Sequence, residues 1–270
     1  MVKYMPTTLE QALSVRAAEP VVPYAGGTDL CVQNKPGLTY LFLNKVPELK
    51  GITEDEDYIR IGACTTFTQA LESPMVPALM KEAVSHIAAP AIRNAGTFGG
   101  NLGNGSAKAD SVLIEYVLDA KLRIVSKDGE RIVDVASFYK GNKELDLADN
   151  ELIAEILLPK ETYEYDYQKV GGRNALAISR ISFAGVWKIE DGKITKLSIA
   201  FGAVSGTVLR FTENEEMLTG KTVQEARGLR DAFVKSYADK LVLTRGRVSA
   251  EYRKSVCMNL LNECLDRVLK

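Results

Sequence analysis

In the first 160 residues, segments whose apolar residues have helical spacing alternate with short apolar segments typical of strands. Leu9, Ala12 and Leu13 share one face of a helix that begins at the capping-box spacing of residues 8–11. A second capping box at residues 66–69 predicts another helix start. Further helices are predicted at residues 75–89 and 110–118, and strands at 21–24, 40–43, 58–61, 122–126, 131–135 and 151–158.

A different pattern follows Pro159 and the polar residues 160–164, where we expect a domain boundary. Apolar strands at 181–189 and 194–204 flank Asp191-Gly192, and an Asp-Gly pair between such runs is a strong hairpin signal. Asp128-Gly129 gives the same signal in the first part. Residues 222–238 and 250–269 have helical spacing. We therefore expect two domains, residues 1–160 and residues 165–270, the second a small antiparallel sheet backed by helices.

The charge balance limits the classes of partner. Lys and Arg number 34 and Asp and Glu 35, giving a formal net charge of -1, which disfavours binding to nucleic acid or to an anionic membrane. No apolar run is long enough for a membrane-spanning helix, and the first residues lack the apolar stretch of a signal peptide. We expect a cytoplasmic protein.

Cysteine and histidine are too sparse to indicate a metal site. The four cysteines form no Cys-x-x-Cys pair, and His86 is the only histidine. We expect no bound zinc and no iron–sulfur cluster, and we assign His86 no role. Four basic residues near the C-terminal end are expected on a solvated helix face: Arg245, Arg247, Arg253 and Lys254.

Two glycine-containing segments carry the candidate chemistry. Five glycines fall within ten residues, at 96, 99, 100, 103 and 105, so a glycine-rich loop is predicted whose N–H groups, with Thr97 and Asn101, point at an anion. Residues 25–30 follow an apolar strand, and Thr28 is expected to cap a short helix whose N-terminus attracts negative charge. Either segment alone is compatible with an ordinary surface turn. Together they would suit a diphosphate, whose two phosphates need donors from two directions.

These motifs resemble the FAD-binding subunits of the molybdenum hydroxylases, a family that includes the medium chain of carbon monoxide dehydrogenase and the FAD subunits of xanthine and nicotinate dehydrogenases. The matching segments are residues 24–30, 91–102, 109–111, 137–141, 151–159, 169–179 and 252–254. The resemblance covers essentially the whole chain. It implies an α+β fold, with a two-lobed FAD-binding domain of the vanillyl-alcohol oxidase type followed by a small domain of antiparallel sheet and helices.

The resemblance also implies roles for individual residues. The diphosphate of FAD would be wrapped by Ala25, Gly26, Gly27, Thr28, Asp29 and Leu30, with Thr97, Gly100, Asn101 and Asn104 completing the cradle. Ile87 and Ala88 match positions against the cofactor, and Leu152 and Ile153 match apolar contacts to its flavin or adenine. Asp110 matches an acid at the ribose or adenine end, with helix capping as the alternative. Gln168 or Lys169 is expected at the edge of the isoalloxazine ring.

By this resemblance the chain is an electron-transfer subunit. A molybdopterin-binding large subunit would oxidise the substrate, a small subunit would hold two iron–sulfur clusters, and electrons would pass through FAD to NAD or another acceptor. Two alternatives are a stand-alone flavin oxidoreductase of the same fold and a scaffold subunit without FAD. The short region after Lys160 argues against the first, and the intact glycines argue against the second.

Overall fold

A computed structural model describes residues 3–244 and 246–270 of the chain, which form a mixed α+β structure. The strands are β1 Lys3–Tyr4, β2 Val22–Tyr24, β3 Tyr40–Phe42, β4 Ile52–Glu54, β5 Tyr58–Gly62, β6 Lys121–Ser126, β7 Gly129–Asp134, β8 Tyr139–Gly141, β9 Glu144–Leu145, β10 Leu152–Pro159, β11 Glu164–Val170, β12 Ile181–Glu190, β13 Lys193–Gly202 and β14 Leu209–Arg210. The helices are α1 Leu9–Ala18, α2 Thr28–Gln33, α3 Phe67–Glu72, α4 Ala78–Ser85, α5 Pro90–Arg93, α6 Phe98–Gly103, α7 Asp110–Val117, α8 Val135–Phe138, α9 Thr212–Glu215, α10 Val223–Lys240 and α11 Ala250–Val268.

The chain divides into two compact units. The first comprises Met1–Ser106 and Asp119–Lys160, and the second comprises Ala107–Leu118 and Glu161–Lys270. Helix α7 therefore belongs to the second unit although the chain on both sides of it belongs to the first. The sequence pattern alone did not indicate this discontinuity, because it follows from long-range packing. Within the described residues, no helix is both long and apolar enough to cross a membrane.

The first unit contains a parallel sheet and an antiparallel sheet. The parallel sheet has the order β1-β3-β2, and helix α1 packs against β3 through the fully buried Ala12. The antiparallel sheet has the order β4-β5-β10-β6-β7, with the apolar strand β10 at its centre. Ile156 of β10 lies between Ile61 and Leu122. Burial on both faces explains the nearly continuous apolar run that predicted this strand.

The second unit is an antiparallel sheet covered by helices. Its strand order is β11-β12-β13-β14, and the β12–β13 hairpin turns at Asp191 and Gly192, whose φ angles are 50° and 72°. This confirms the hairpin predicted from the Asp-Gly pair, since such turns need positive φ at both central residues. Helices α10 and α11 pack with the sheet around a core that includes Phe183, Phe233 and Leu261.

A buried ion pair fixes helix α7 within the second unit. Arg210 pairs with Glu215 at 2.9 Å and also donates to the hydroxyl of Ser198. Its Nη1 donates to the carbonyl of Tyr116, near the C-terminal end of α7, at 2.5 Å. Because both charged side chains are almost completely buried, these bonds are what offset their desolvation.

Several local predictions are confirmed and others are wrong. Thr8 caps α1, and Thr66 forms a complete capping box with Gln69. The helix predicted at 75–89 is shorter, because Pro77 is its N-cap and Ala88 has a φ of 43°. The predicted solvated position of Arg253 is wrong: its guanidinium is buried and donates to the carbonyl oxygens of Ala203 and Thr244. Arg245 lies outside the described residues.

Candidate functional site

The first glycine-containing loop connects strand β2 to helix α2. Gly27 has a φ of 68° and is the N-cap of α2, so the prediction that Thr28 caps this helix is wrong. A Cβ on Gly27 would lie 2.0 Å from the ring of Tyr24, which adds a steric reason for glycine. No side chain caps α2, and the N–H groups of a first helical turn have no acceptor within the helix. Thr28, Asp29 and Leu30 therefore present backbone donors at the carboxyl end of β2.

The second segment is not the loop that its glycines predict. Residues 98–103 form the short helix α6, capped by Thr97, whose Oγ1 accepts a hydrogen bond from the N–H of Gly100 at 3.1 Å. The N–H groups of Phe98 and Gly99 donate to the carbonyl oxygens of Thr65 and Ala63. The expectation of free backbone donors at these three residues is therefore wrong, because each already donates within the chain.

The glycines of α6 have two separate roles. A Cβ on Gly99 would lie 2.5 Å from the Cβ of Ala63, so glycine here allows α6 to pack closely on the chain after β5. A Cβ on Gly103 would have no atom within 4 Å, and a Cβ on Gly100 would meet only the Thr97 hydroxyl, at 2.9 Å. Both Gly100 and Gly103 line a cleft. They keep space free beside the first loop.

The two segments contact each other directly. A Cβ on Gly26 would lie 1.7 Å from the carbonyl oxygen of Ala95, so the two backbones meet at this position. A second link joins side chains, because Nδ2 of Asn104 donates to Oδ2 of Asp29 at 2.7 Å. The two segments are thus held together at two points, one between Gly26 and Ala95 and the other between Asp29 and Asn104.

The cleft beside these loops has a volume of about 440 Å³, which is within the usual range for small-molecule sites. It contains many of the residues predicted to bind the cofactor: Ala25, Gly26, Gly27, Thr28, Asp29, Leu30, Thr97, Gly100, Asn101, Asn104, Leu152 and Ile153. Leu43, Cys64 and Phe67 add to its apolar surface.

Three cationic residues of the cleft were missed by sequence reasoning: Arg16, Lys35 and Lys143. Arg16 donates to the backbone carbonyl groups of Val21 and Glu151, and burial lowers its pKa against the opposing charge of Asp149. Lys35 and Lys143 are exposed. Single lysines in polar segments carry no sequence pattern that could have assigned them to a site.

Two ionisable groups at the cleft, the Cys64 thiol and the neighbouring Tyr24 hydroxyl, are neutral at physiological pH. Burial raises the pKa of the Cys64 thiol to about 11. A hydrogen bond of 3.0 Å to the Cys31 sulfur is the main cause that raises the pKa of Tyr24 to about 12. A thiolate nucleophile at Cys64 is therefore disfavoured, and the cleft is suited to hold a ligand through noncovalent contacts.

Four predicted residues lie outside the cleft. Ile87 and Ala88 belong to the first unit, where Nη1 of Arg93 donates to both of their carbonyl oxygens at 2.8 Å. Asp110 and Lys169 belong to the second unit and pair with each other at 2.7 Å. The other oxygen of Asp110 accepts from the hydroxyl of Ser179 at 2.6 Å. The proposed contacts of these four residues with the cofactor remain predictions.

Comparison with known proteins gives these features a context. Residues 2–161 match the model of the FAD binding domain in molybdopterin dehydrogenase, and residues 166–268 match that of the CO dehydrogenase flavoprotein C-terminal domain. The chain belongs to the FAD-binding subunits of the molybdenum hydroxylase family. The resemblance inferred from the motifs is confirmed, as are the α+β fold and FAD as the cofactor.

The similar proteins in this family include subunits of dehydrogenases. A putative xanthine dehydrogenase FAD-binding subunit of Escherichia coli is 31% identical over 277 residues, spanning 97% of this chain and 94% of the relative. The nicotinate dehydrogenase FAD-subunit of Eubacterium barkeri is 32% identical, spanning 80% of this chain and 79% of the relative. A chain of reconstituted CO dehydrogenase from Oligotropha carboxidovorans superposes with a TM-score of 0.90 at 26% identity, covering 100% of this chain and 97% of that chain.

The residues of the cleft fit the FAD of this family. FAD carries a diphosphate, and the uncapped first turn of α2 offers backbone donors to an anion. The open space at Gly103, where a Cβ would meet nothing within 4 Å, leaves room for a ligand to approach the backbone. Leu152 and Ile153 provide the apolar wall that an aromatic ring system needs.

Proposed function

We propose that the cleft beside the two linked segments holds the diphosphate of FAD, and that the chain transfers electrons from iron–sulfur clusters of a partner subunit to NAD or another acceptor. The observation that carries the proposal is the direct contact between the two segments at Gly26 and Ala95, which places the first-turn donors of α2 beside the open glycines of α6. When bound, FAD supplies the redox chemistry, because it accepts electrons singly and can give them up as a hydride.

This chain's own residues bind and orient the cofactor. In the proposal, residues 25–30 wrap the diphosphate, and Thr97, Gly100, Asn101 and Asn104 form the facing surface. Leu152 and Ile153 contact a ring system of FAD, and Ile87 and Ala88 lie against the cofactor. The resemblance assigns Asp110 to the ribose or adenine end and Lys169 to the isoalloxazine edge, but the two assignments cannot both hold for an extended FAD, because the two side chains form an ion pair of 2.7 Å. Thr97 acts indirectly, since its hydroxyl holds the N–H of Gly100 and so fixes the helix start.

The partners are inferred from relatives. Those relatives include a carbon monoxide dehydrogenase medium chain from Afipia carboxidovorans, and the similar solved structures include a Cu,Mo-CO dehydrogenase. We propose that this chain likewise works beside a molybdopterin-binding large subunit and a small subunit with two iron–sulfur clusters. We also propose a cytoplasmic location, which suits a chain with four free cysteines.

Co-expression with candidate partners tests this function. The chain should co-purify with a molybdopterin-binding subunit and a two-cluster subunit, and the complex should oxidise a substrate and reduce NAD or a dye. The chain alone should bind FAD and show at most weak NADH-dependent dye reduction. Substrate hydroxylation by the single polypeptide would favour the stand-alone oxidoreductase, and a colourless chain that does not bind added FAD would favour the scaffold.

A further inference from the structure

A third segment of the first unit lines the same cleft. Strands β8 and β9 form a short hairpin, and residues 139–147, here called the hairpin segment, contribute Lys143 and Leu147 to the cleft. Lys143 lies at the turn of this hairpin with a φ of 62°, and its side chain is exposed. The sequence comparison assigns no role to this turn.

The hairpin segment is attached to the helix α6 region. The hydroxyl of Tyr139 donates to the carbonyl oxygen of Leu102 at 3.1 Å. Gly105 has a φ of 65°, and a Cβ there would lie 2.9 Å from the Cα of Lys143. Glycine at position 105 thus allows the backbone of the hairpin turn to lie directly against the residues that follow α6.

The other end of the hairpin segment is also fixed. The N–H of Asp146 donates to the carbonyl oxygen of Phe138 at 2.7 Å. Arg131 donates to both the carboxylate and the carbonyl oxygen of Asp146, at 2.8 Å and 2.6 Å. The backbone of Lys143 is therefore held at the cleft, whereas its long side chain keeps conformational freedom.

Lys143 supplies hydrogen-bond donors and positive charge on the side of the cleft formed by helix α6, here called the α6 wall. The N–H groups of Phe98, Gly99 and Gly100 already donate within the chain, so this wall has few backbone donors for a phosphate. Lys35 also lines the cleft, but it follows the C-terminal end of α2 rather than α6. Arg16 is committed to two backbone carbonyl groups. An ammonium at position 143 offers three donors and a full positive charge beside α6.

We propose that Lys143 is a binding residue for the diphosphate of FAD, and that the hairpin segment positions it by its contact with Gly105. This inference rests on the proposed placement of FAD in the cleft. Among the described residues, Lys143 forms no ion pair, so its charge is available to an anionic ligand. Asp29 is the acidic residue of the cleft lining, and it is engaged by Asn104.

Lys143→Ala in the full-length chain, stripped of FAD and titrated with FAD, tests the proposal. We expect the dissociation constant to rise about three- to tenfold, as for the loss of one exposed charge-assisted contact. Lys143→Arg should restore most of the affinity. Lys140→Ala is the matched control, because this substitution removes the same charge from the same hairpin. The ammonium of Lys140 lies 3.9 Å from the carboxylate of Asp146, and Lys140 does not line the cleft.

Ionic strength separates an electrostatic role from a structural one. The difference between the parent chain and Lys143→Ala should shrink as salt rises from about 0.01 M to 1 M, because the Debye length falls from about 30 Å to about 3 Å. ADP, which carries a diphosphate, should itself bind more weakly to the Lys143→Ala chain than to the parent in a direct titration. A change in FAD affinity that is equal for Lys140→Ala, or independent of salt, would overturn the proposal.

A comparison with Gly100→Val distinguishes the role of Lys143 from the placement of FAD. If a folded Gly100→Val chain binds FAD more weakly and Lys143→Ala does not, the cofactor lies in the cleft and the role of Lys143 is wrong. If neither substitution changes FAD affinity, the placement of FAD in the cleft is wrong as well.

Discussion

Asn104 donates a hydrogen bond of 2.7 Å to Asp29, and this bond joins the end of helix α6 to the first turn of helix α2. Asp29 is an acidic side chain in a cleft proposed to bind a diphosphate, and this bond holds its Oδ2 at Asn104. The carboxylate is occupied by an amide donor, and the bond holds two walls of the cleft together.

Asn104→Ala should therefore weaken FAD binding by about three- to tenfold, because the two walls lose their side-chain link. Asp29→Asn is the informative partner variant. It removes a negative charge but keeps an oxygen that can accept from Asn104, so its FAD affinity should equal or exceed that of the parent chain. Isothermal titration with FAD measures both. A strong loss of affinity in Asp29→Asn would show that the charge itself is needed.

Gly26→Ala should destabilise the first unit, because the new Cβ would lie 1.7 Å from the carbonyl oxygen of Ala95. Relieving this clash requires one of the two backbone segments to move. We expect the free energy of unfolding to fall by about 1–3 kcal/mol, together with a loss of FAD affinity. Gly228→Ala is the control, since Gly228 lies within α10 and faces open space. That substitution should leave stability unchanged or raise it by up to about 1 kcal/mol in denaturant titrations.

Glu115 should make the stability of the chain depend on pH. Burial raises its pKa from 4.5 to about 8, against a smaller lowering by the hydroxyl of Ser111. The folded state then holds a proton that the unfolded state releases, so the free energy of unfolding decreases as pH rises from about 4.5 to about 8. The slope is on the order of 1 kcal/mol per pH unit, and it vanishes above the folded-state pKa.

Glu115→Gln removes this titration. The variant should be more stable than the parent chain at pH 8, and the difference should disappear toward pH 5 in denaturant titrations. Glu213→Gln is the contrasting control, because Lys240 lowers the pKa of the exposed Glu213, and its replacement should give no gain in stability at pH 8. Parallel pH profiles for Glu115→Gln and the parent chain would contradict the burial of an ionisable carboxyl group in helix α7.

The structure also predicts that FAD is bound without a covalent link. The cleft contains the thiol of Cys64, and burial raises its pKa to about 11, which leaves little thiolate for attack on a flavin. Denaturation and precipitation of the yellow protein should therefore release free FAD into the supernatant. Colour that remains with the precipitated polypeptide would refute this prediction.

Local signals in the sequence predicted much of the fold. The capping box at Thr66 and the Asp191-Gly192 hairpin depend on neighbouring residues, so their patterns are readable without tertiary information. Helix α6 was missed because three of its six residues are glycine, which disfavours helices. Its start is capped by Thr97, and the glycine at position 99 allows it to pack closely on Ala63.

The site residues that belong to a local sequence motif could be predicted, whereas those brought to the site by long-range packing could not. The glycines at 26, 27 and 100 were identified from the sequence, although the details of their hydrogen bonds were not. Helix α7 belongs to the second unit because it packs on β12 and β13, and the Arg210–Tyr116 hydrogen bond adds to this packing between residues far apart in the chain. Lys143 reaches the cleft through the contact of its turn with Gly105, and no local pattern reveals such a contact.

The central claim, that FAD lies in the cleft beside helices α2 and α6, is tested most directly by Gly100→Val. A side chain at this position would enter the cleft or displace the Thr97 hydroxyl, 2.9 Å from the new Cβ, while the apolar cores of both units stay unchanged. Gly228→Val is the matched control, with the same substitution in a helix away from the cleft. FAD titration should be paired with circular dichroism on the same samples. We predict a folded Gly100→Val chain whose FAD affinity is lower by about tenfold or more, equivalent to at least about 1.4 kcal/mol, and a control that binds like the parent. A folded Gly100→Val chain that binds FAD as tightly as the parent would contradict the claim.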